Sequence, residues 1–200
     1  IVLQEYHFSR LFKGLQILKY NIPKLFTPVS LAEQIKMLAQ KNDCEKSARV
    51  RLSVSRGRGG LYDGDNKLDY IIECMPLTTQ VNGLNENGLI IGLFEDARKS
   101  CDLFSNLKSA NYLPYVMAAQ YAKENKWNDC LVLNQYNRIC DATIANIFWI
   151  KDGTIFTPPL SEGCVEGIMR RHLLLTTAGT ENAVLANICP VADLENADEI

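Results

Sequence analysis

The stretch Ser105-Asn106-Leu107-Lys108-Ser109-Ala110-Asn111-Tyr112-Leu113 places one lysine in a polar segment at the start of a helical pattern. Further on, the chain reads Cys140-Asp141-Ala142-Thr143-Ile144-Ala145-Asn146-Ile147-Phe148-Trp149. It then reads Thr157-Pro158 and Glu166-Gly167-Ile168-Met169-Arg170, a glycine turn that opens a second helical pattern. An amine, a carboxylate and a turn with available backbone N–H groups, in this order, form a set that can hold a charged cofactor.

Composition limits the classes of function. The chain has 200 residues, 47% of them hydrophobic and 22% charged, with a formal net charge of −2. This is ordinary for a globular protein with one large or two small domains. The sequence has no dense run of Lys and Arg, so it does not indicate a nucleic-acid or membrane-surface partner. No apolar run approaches the roughly 20 residues of a membrane span, and no signal peptide is visible, so we expect a cytoplasmic protein.

The seven cysteines are scattered and form no C-x-x-C pair. Disulfide frameworks and zinc sites require closer and more regular spacing, so we expect reduced thiols and no metal site. The two histidines, His7 and His172, lie far apart in the sequence and have no nearby carboxylate signature. The sequence therefore gives no support to a His-based catalytic triad.

The first half of the chain predicts an α+β unit. Apolar residues recur at helical spacing over residues 4–20, which predicts a helix that ends before Pro23. Ser30 followed by Glu33 predicts a capping box for a second helix through about Gln40. Alternation and turn residues then predict strands over 49–55, 68–74 and 88–94.

The second half predicts a helix over 112–126, four short strands and a closing helix over 166–177. The predicted strands cover 130–134, 138–142, 146–151 and 154–157. We place the change of domain at 105–113, between a domain over 1–104 and a domain over 114–200. Lys108 would then lie at a junction, where ligand clefts often form.

These residues resemble the class IV aminotransferases, enzymes of fold type IV that use pyridoxal 5'-phosphate (PLP). The resemblance runs over nearly the whole chain and is densest between residues 105 and 170. It implies an α+β fold with a small N-terminal α/β sandwich and a C-terminal domain with a barrel-like β core. It also implies a small-molecule amine substrate and a homodimer.

Carried over by position, Lys108 resembles the Schiff-base lysine, which acts as general acid and base at the substrate carbon. Asp141 stands where the family has a glutamate that pairs with the pyridine nitrogen. Asp is one methylene shorter, so the strand would lie closer to the ring, or the pairing would be weaker or bridged by water. The alternatives are a surface lysine and a carboxylate at the end of a strand.

The resemblance also implies a phosphate site. Arg10 resembles the family's phosphate-binding arginine, because a planar guanidinium suits a phosphate. Gly167, Ile168 and Met169 would offer backbone N–H groups at the start of a helix. Thr157 resembles the strand-end threonine of the family, as a cofactor contact or a simple strand terminator. Thr143 and Asn146 would flank the pyridine side, mainly with structural hydrogen bonds.

Two pieces of the family pattern are missing. Members normally have a strand before the first helix and a segment after Ala197-Asp198-Glu199-Ile200 that helps to bind phosphate. We therefore expect this sequence to be a fragment that lacks the first strand of the N-terminal domain and the end of the C-terminal domain.

Within the family, two segments favour the 4-amino-4-deoxychorismate lyases, which eliminate pyruvate to give 4-aminobenzoate for folate synthesis. The run from Ser55 to Tyr62 resembles their R-G-x-G-G segment, and residues 167–170 resemble their G-I-M-R segment. The alternative is an aminotransferase of branched-chain or D-amino acids, which the tract Phe156-Thr157-Pro158-Pro159 resembles equally. Arg56, Arg58 or Arg98 would bind the substrate carboxylates. A catalytically silent PLP-binding protein is a further hypothesis.

Overall fold

The computed structural model describes residues 1–57, 59–60, 62, 64–77 and 87–200. The chain divides into two compact units, residues 1–84 and residues 85–200. This division precedes the predicted change of domain at 105–113. The reason is a strand, β3 (Ile91–Lys99), which pairs in parallel with the later strand β4 (Asp129–Asn134) and so belongs to the second unit.

The first unit has two helices and a two-stranded sheet. Its elements are α1 (Gln4–Ile17), α2 (Pro28–Lys41), β1 (Ala48–Arg56) and β2 (Leu68–Pro76). The two strands pair antiparallel from Ala48↔Pro76 to Arg56↔Leu68. One face of the sheet packs against the helices, and the buried core consists of Phe8, Leu15, Phe26, Leu31, Ala32, Ile35 and Leu68.

The start of α2 differs from the predicted capping box. The helix begins at Pro28, and Thr27 is the N-cap residue, with its side chain accepting a hydrogen bond from the Ser30 amide at 3.2 Å. Ser30 instead accepts from Gln34 one turn later, at 3.2 Å. Proline is favourable in the first turn of a helix because its missing N–H is not needed there, and this displaces the cap by three residues.

The second unit contains two three-stranded sheets among the residues described. The first has the order β3-β4-β5, with β5 (Ile139–Ala142) antiparallel to β4. The second has the order β6-β7-β8, from β6 (Trp149–Lys151), β7 (Thr154–Thr157) and β8 (Val184–Ala186). The helices of this unit are α3 (Leu113–Glu124), α4 (Ile168–Thr176) and α5 (Val191–Glu195).

Most predicted elements are confirmed, but β3 is longer and later than predicted. It was expected over 88–94 and runs from Ile91 to Lys99, with a register shift between Phe94 and Arg98. A register shift of this kind bends a strand and redirects the side chains that follow it. The end of β3 therefore turns Lys99 into the interior, where it is 9% exposed.

All seven cysteines are free thiols, and the sulfurs of Cys44 and Cys74 lie 3.1 Å apart. No three His, Cys, Asp or Glu side chains in the described part of the chain come together as a metal site. Within the same part, no helix has the length and apolar character that crossing a membrane requires.

Candidate active site

The carboxylate of Asp141 lies on β5 in the interior of the second unit and is 2% exposed. Its Oδ2 atom accepts hydrogen bonds from the Tyr115 hydroxyl at 2.6 Å, the Val165 amide at 3.0 Å and the Lys99 ammonium at 3.2 Å. Its Oδ1 atom accepts one from Asn146 Nδ2 at 2.9 Å. Four donors from four segments therefore fix the carboxylate that the sequence singled out.

Lys99 is the buried cation beside this carboxylate. Its Nζ atom donates to the Gly163 carbonyl at 2.6 Å, to the Tyr115 hydroxyl, and more weakly to the Ser105 carbonyl at 3.4 Å. Together with Asp141, these acceptors exceed the three N–H groups of an ammonium. The position of the Lys99 amine is thus set from several sides.

The protonation states around the pair follow from burial. Burial, together with the nearby charge of Asp141, raises the pKa of Tyr115, so the phenol keeps its proton and donates it to the carboxylate. Burial also raises the pKa of the Cys140 thiol, and that of Cys164 to about 12. Burial raises the pKa of Asp141 itself, and Lys99 acts in the opposite direction.

Asn146 connects the carboxylate to the start of α4. Its Nδ2 atom donates to Asp141 Oδ1 and to the Val165 carbonyl, both at 2.9 Å. A Cβ atom built on Gly167 would lie 1.8 Å from Asn146 Oδ1. Only glycine therefore fits at position 167 with Asn146 in place, because a Cβ there would have to displace the amide.

The N-terminus of α4 is not capped by a side chain, since Gly167 is the N-cap residue. The first N–H groups of a helix lack acceptors within the helix, and the helix dipole favours an anion at this end. Ile168 is buried and Met169 is 55% exposed, so their side chains differ while their backbones form the same turn. This turn, joined to Asp141 through Asn146, has the chemistry of a phosphate site.

The side chain of Lys108 is exposed and lies outside the hydrogen-bond network of Asp141. Two residues before it, Asn106 donates through Nδ2 to the carbonyls of Leu160 at 2.8 Å and Cys164 at 2.7 Å. The Asn106 carbonyl accepts from the Glu166 amide at 2.9 Å. The segment that carries Lys108 is therefore fastened to the residues that lead into Gly167.

The two threonines predicted near the cofactor have contacts within the protein. Thr157 is fully buried, and its hydroxyl donates to the Ile147 carbonyl at 2.8 Å. Thr143 donates to Asp129 Oδ1 at 2.5 Å. Both hydroxyl groups therefore donate to acceptors within the protein, and a structural hydrogen bond was expected for Thr143. A cofactor contact of Thr157 stays a prediction.

Two of the arginines predicted to bind substrate carboxylates have acceptors close in the chain or within their own unit. Arg56 donates to the Leu18 carbonyl at 2.8 Å and to Asn66 Oδ1. Arg98 donates to Asn137 Oδ1 at 2.8 Å. These bonds use only part of the five N–H donors of each guanidinium, so substrate binding by Arg56 or Arg98 stays a prediction.

Arg58, the third candidate, lies outside the described residues. Arg10, the predicted phosphate ligand, lies on α1 in the first unit and is half-buried. The pKa of His7, one turn earlier on the same helix, is lowered by burial and, to a smaller extent, by the charge of Arg10. Phosphate binding by Arg10 stays a prediction.

Sequence reasoning missed Lys99 and Tyr115. Tyr115 lies three residues before Ala118, a fully buried residue of α3, so helical periodicity could have placed it on the inner face. Nothing in the sequence marks the register shift before Arg98. A strand ending in Arg98-Lys99-Ser100 is typical of an exposed edge, and only the three-dimensional structure places Lys99 inside.

Comparison with known proteins agrees with this fold. The family described as amino-transferase class IV matches residues 1–200. An aminodeoxychorismate lyase of Vibrio harveyi is 28% identical over 159 residues, covering 78% of this chain and 59% of that protein. A probable branched-chain-amino-acid aminotransferase of Synechocystis is 24% identical over 196 residues, covering 97% of this chain and 63% of that protein. The chain thus spans about three fifths of the length of these curated relatives.

A solved structure has the same fold. The branched-chain amino acid aminotransferase of Escherichia coli superposes with a TM-score of 0.83. It is 22% identical, and the match covers 98% of this chain and 64% of that one. The α+β architecture predicted from the sequence is therefore confirmed as fold type IV. Since the family match extends over all 200 residues, the chain belongs to the class IV aminotransferase family.

Proposed function

We propose that this chain forms the PLP-binding part of a class IV enzyme, in which Asp141 faces the pyridine nitrogen. The observation that carries the proposal is the buried Asp141 carboxylate, joined through Asn146 to the uncapped start of α4. A ring nitrogen at the carboxylate and a phosphate at the helix start are two of the three groups by which PLP is held.

The residues present fit this cofactor. A carboxylate provides about four lone-pair sites, and Oδ1 of Asp141 has one donor, Asn146. The absence of a Cβ at Gly167 lets the backbone approach Asn146 closely. When bound, PLP supplies an electron sink for a carbanion at the substrate carbon. Asp141 would hold the ring, and the N–H groups at Ile168 and Met169 would hold the phosphate.

Two lysines compete for the role of the Schiff-base amine, and we assign it to Lys108. The ring nitrogen and the aldehyde carbon of PLP lie at opposite ends of the ring. Lys99 is bonded to Asp141 at the nitrogen end and has further acceptors at Gly163 and Tyr115. Lys108 is exposed, on a segment that Asn106 fastens close to Gly167, so its amine is available.

We further propose that the reaction is the elimination of pyruvate from 4-amino-4-deoxychorismate to give 4-aminobenzoate. In it, the Lys108 amine removes the proton from the carbon that bears the substrate amine. The G-I-M-R run at 167–170, the R-G-x-G-G run after Ser55 and the relative named aminodeoxychorismate lyase support this choice.

The second candidate is a branched-chain or D-amino acid aminotransferase. It is favoured by the relative named for branched-chain amino acids, which matches 97% of this chain. The same residues would hold the cofactor, and a 2-oxo acid would be needed for the second half of the reaction. For either reaction we propose a cytoplasmic homodimer, and light scattering of the purified protein would establish the assembly.

The first test uses the full-length protein with PLP and 4-amino-4-deoxychorismate, without any 2-oxo acid. We expect 4-aminobenzoate and pyruvate to be released in equal amounts over many turnovers, and Lys108→Ala to release neither. If release occurs only after an amino acid and a 2-oxo acid are supplied as well, the aminotransferase replaces the lyase. If the protein retains PLP but turns over no amine substrate, it is a catalytically silent PLP-binding protein.

A further inference from the structure

The ion pair between Lys99 and Asp141 needs an explanation beyond stability. Its two side chains are 9% and 3% exposed, and Nζ lies 3.2 Å from Oδ2. Removing two charges from water costs as much as, or more than, their attraction returns, so a well-packed apolar pair is often at least as stable. The position of this pair, at the predicted ring-binding carboxylate, indicates what it does.

We propose that Lys99 is a positioning residue, which holds the Asp141 carboxylate ionised and turned so that Oδ1 faces the pyridine nitrogen. The inference rests on the proposed function, since it takes Asp141 as the partner of the ring. It concerns an amine other than the Schiff-base lysine, and it assigns the two oxygens of Asp141 to different tasks.

The hydrogen bonds distinguish the two oxygens. Oδ2 has three donors, from Tyr115, Val165 and Lys99, which is more than its two lone pairs accommodate well. Oδ1 has one donor, from Asn146, and retains one lone pair. A further N–H, such as that of a pyridinium ring, can therefore bind at Oδ1 and not at Oδ2. Lys99 is one of the three groups that keep Oδ2 turned inward.

Lys99 is also the cation in contact with Asp141, while the buried Arg170 guanidinium acts on the neighbouring Cys164. The ionisable groups that face Asp141 are Lys99 from β3, Tyr115 from α3, Cys140 from β5 itself and Cys164 from the segment before α4. The phenol and both thiols have raised pKa values and are neutral near neutral pH. Without Lys99, the carboxylate would lose the cation that is bonded to it and would take up a proton more readily.

The test is a double-mutant cycle in PLP affinity, measured on the full-length protein by the visible absorption of the bound cofactor. We expect Asp141→Asn to weaken PLP binding, and Lys99→Met to weaken it about ten-fold or more, as the loss of a charged hydrogen-bond partner does. In the Asp141→Asn background, Lys99→Met should cause no further loss, because Lys99 acts through that carboxylate. Losses that simply add would show a separate structural role and overturn the inference.

Three further variants complete the design. Lys99→Gln keeps N–H donors without the charge, and it replaces the Met variant if that variant does not fold. We expect Lys99→Gln to weaken PLP binding as well. Lys99→Arg keeps the charge and should bind PLP with an affinity close to that of wild type. Lys151→Met is the matched control, since Lys151 lies in the same unit in an exposed pair with Asp198, and it should leave PLP affinity unchanged. If Asp141→Asn binds PLP normally, the proposed function fails; if only the Lys99 variants bind normally, this inference alone fails.

Discussion

Two ion pairs, one in each unit, each join a basic and an acidic side chain but have opposite surroundings. In the first unit, Arg51 and Glu73 face each other across β1 and β2 with two short hydrogen bonds, of 2.6 and 2.9 Å. Their side chains are 60% and 40% exposed. In the second unit, Lys99 and Asp141 make a single longer contact of 3.2 Å, with both side chains almost fully buried.

The comparison shows that burial, and not the quality of the contact, decides what an ion pair does. Water screens the Arg51–Glu73 pair and hydrates each partner when the other is removed, so its good geometry contributes little. Around Lys99 and Asp141, water cannot replace a lost partner. A third pair, Arg138 with Glu162, is intermediate, because its side chains are 28% and 5% exposed.

The largest effect is expected for Lys99→Met, which leaves Asp141 buried without a cation. We expect the free energy of unfolding to fall by about 3–5 kcal/mol near neutral pH, as for other buried pairs that lose one partner. Urea unfolding of the variant and of wild type would measure the difference. A loss below about 1 kcal/mol, the range of exposed pairs, would contradict the comparison.

The same variant has a predicted pH dependence. Burial already raises the pKa of Asp141, and removing Lys99, which opposes that rise, raises it further. A carboxyl whose folded pKa exceeds its unfolded value adds stability at low pH, and this is lost as pH rises through the folded pKa. The deficit of Lys99→Met should therefore grow as pH rises above the ordinary pKa of an aspartate, about 4. A Lys99→Met, Asp141→Asn double variant should show no such growth.

The next effect is expected for Glu162→Gln, which removes the charge from the intermediate pair. Arg138 donates to Glu162 at 2.5 and 2.7 Å, and Asn134 Nδ2 donates at 2.8 Å. We expect a loss of about 2–3 kcal/mol, because a charged hydrogen-bond partner is lost but Arg138 can still be hydrated. Urea unfolding provides the measurement. A loss equal to that of Lys99→Met would show that the partial exposure of Arg138 is without consequence.

A smaller effect on stability is expected for Gly167→Ala, which tests how the buried network reaches α4. The new Cβ would displace Asn146, whose amide bonds Asp141 and Val165. We expect a loss of about 1–3 kcal/mol, with weaker PLP binding, measured by thermal unfolding and by cofactor titration. Gly153→Ala is the control: Gly153 has φ of +72° and open space around it, so it tests backbone strain without the clash. Its PLP affinity should be unchanged.

The sequence predicted what is local and missed what depends on irregular pairing. The periodicities of α3, β4, β5 and β7 predicted those elements, because apolar spacing alone determines which face is buried. The motifs around Lys108, Asp141 and Gly167 carry the resemblance to the family. Each of these signals lies within a segment of a few residues.

Lys99 and the N-cap at Thr27 are different, since each depends on a choice between two locally acceptable arrangements. Ser30 and Glu33 satisfied the capping pattern, but Pro28 starts the helix earlier. The predicted third strand ended at residue 94, before Lys99. In the structure the strand continues to Lys99, and the register shift before Arg98 turns Lys99 inward, where its amine reaches Asp141 on β5. The inward position of Lys99 therefore depends on how β3, β4 and β5 pair, and no local sequence pattern predicts that pairing.

The smallest effect on stability is expected for the exposed ion pair, Arg51 with Glu73. We expect Arg51→Ala, Glu73→Gln and the double variant to unfold at the same urea concentration as wild type, within the error of the experiment, in spite of the bidentate geometry. The Arg51 guanidinium lowers the pKa of Glu73, but both groups are open to water and salt screens them. A loss in Arg51→Ala that disappears in high salt would show that the pair contributes after all. A loss that persists in salt would instead be due to packing of the arginine stem on the sheet.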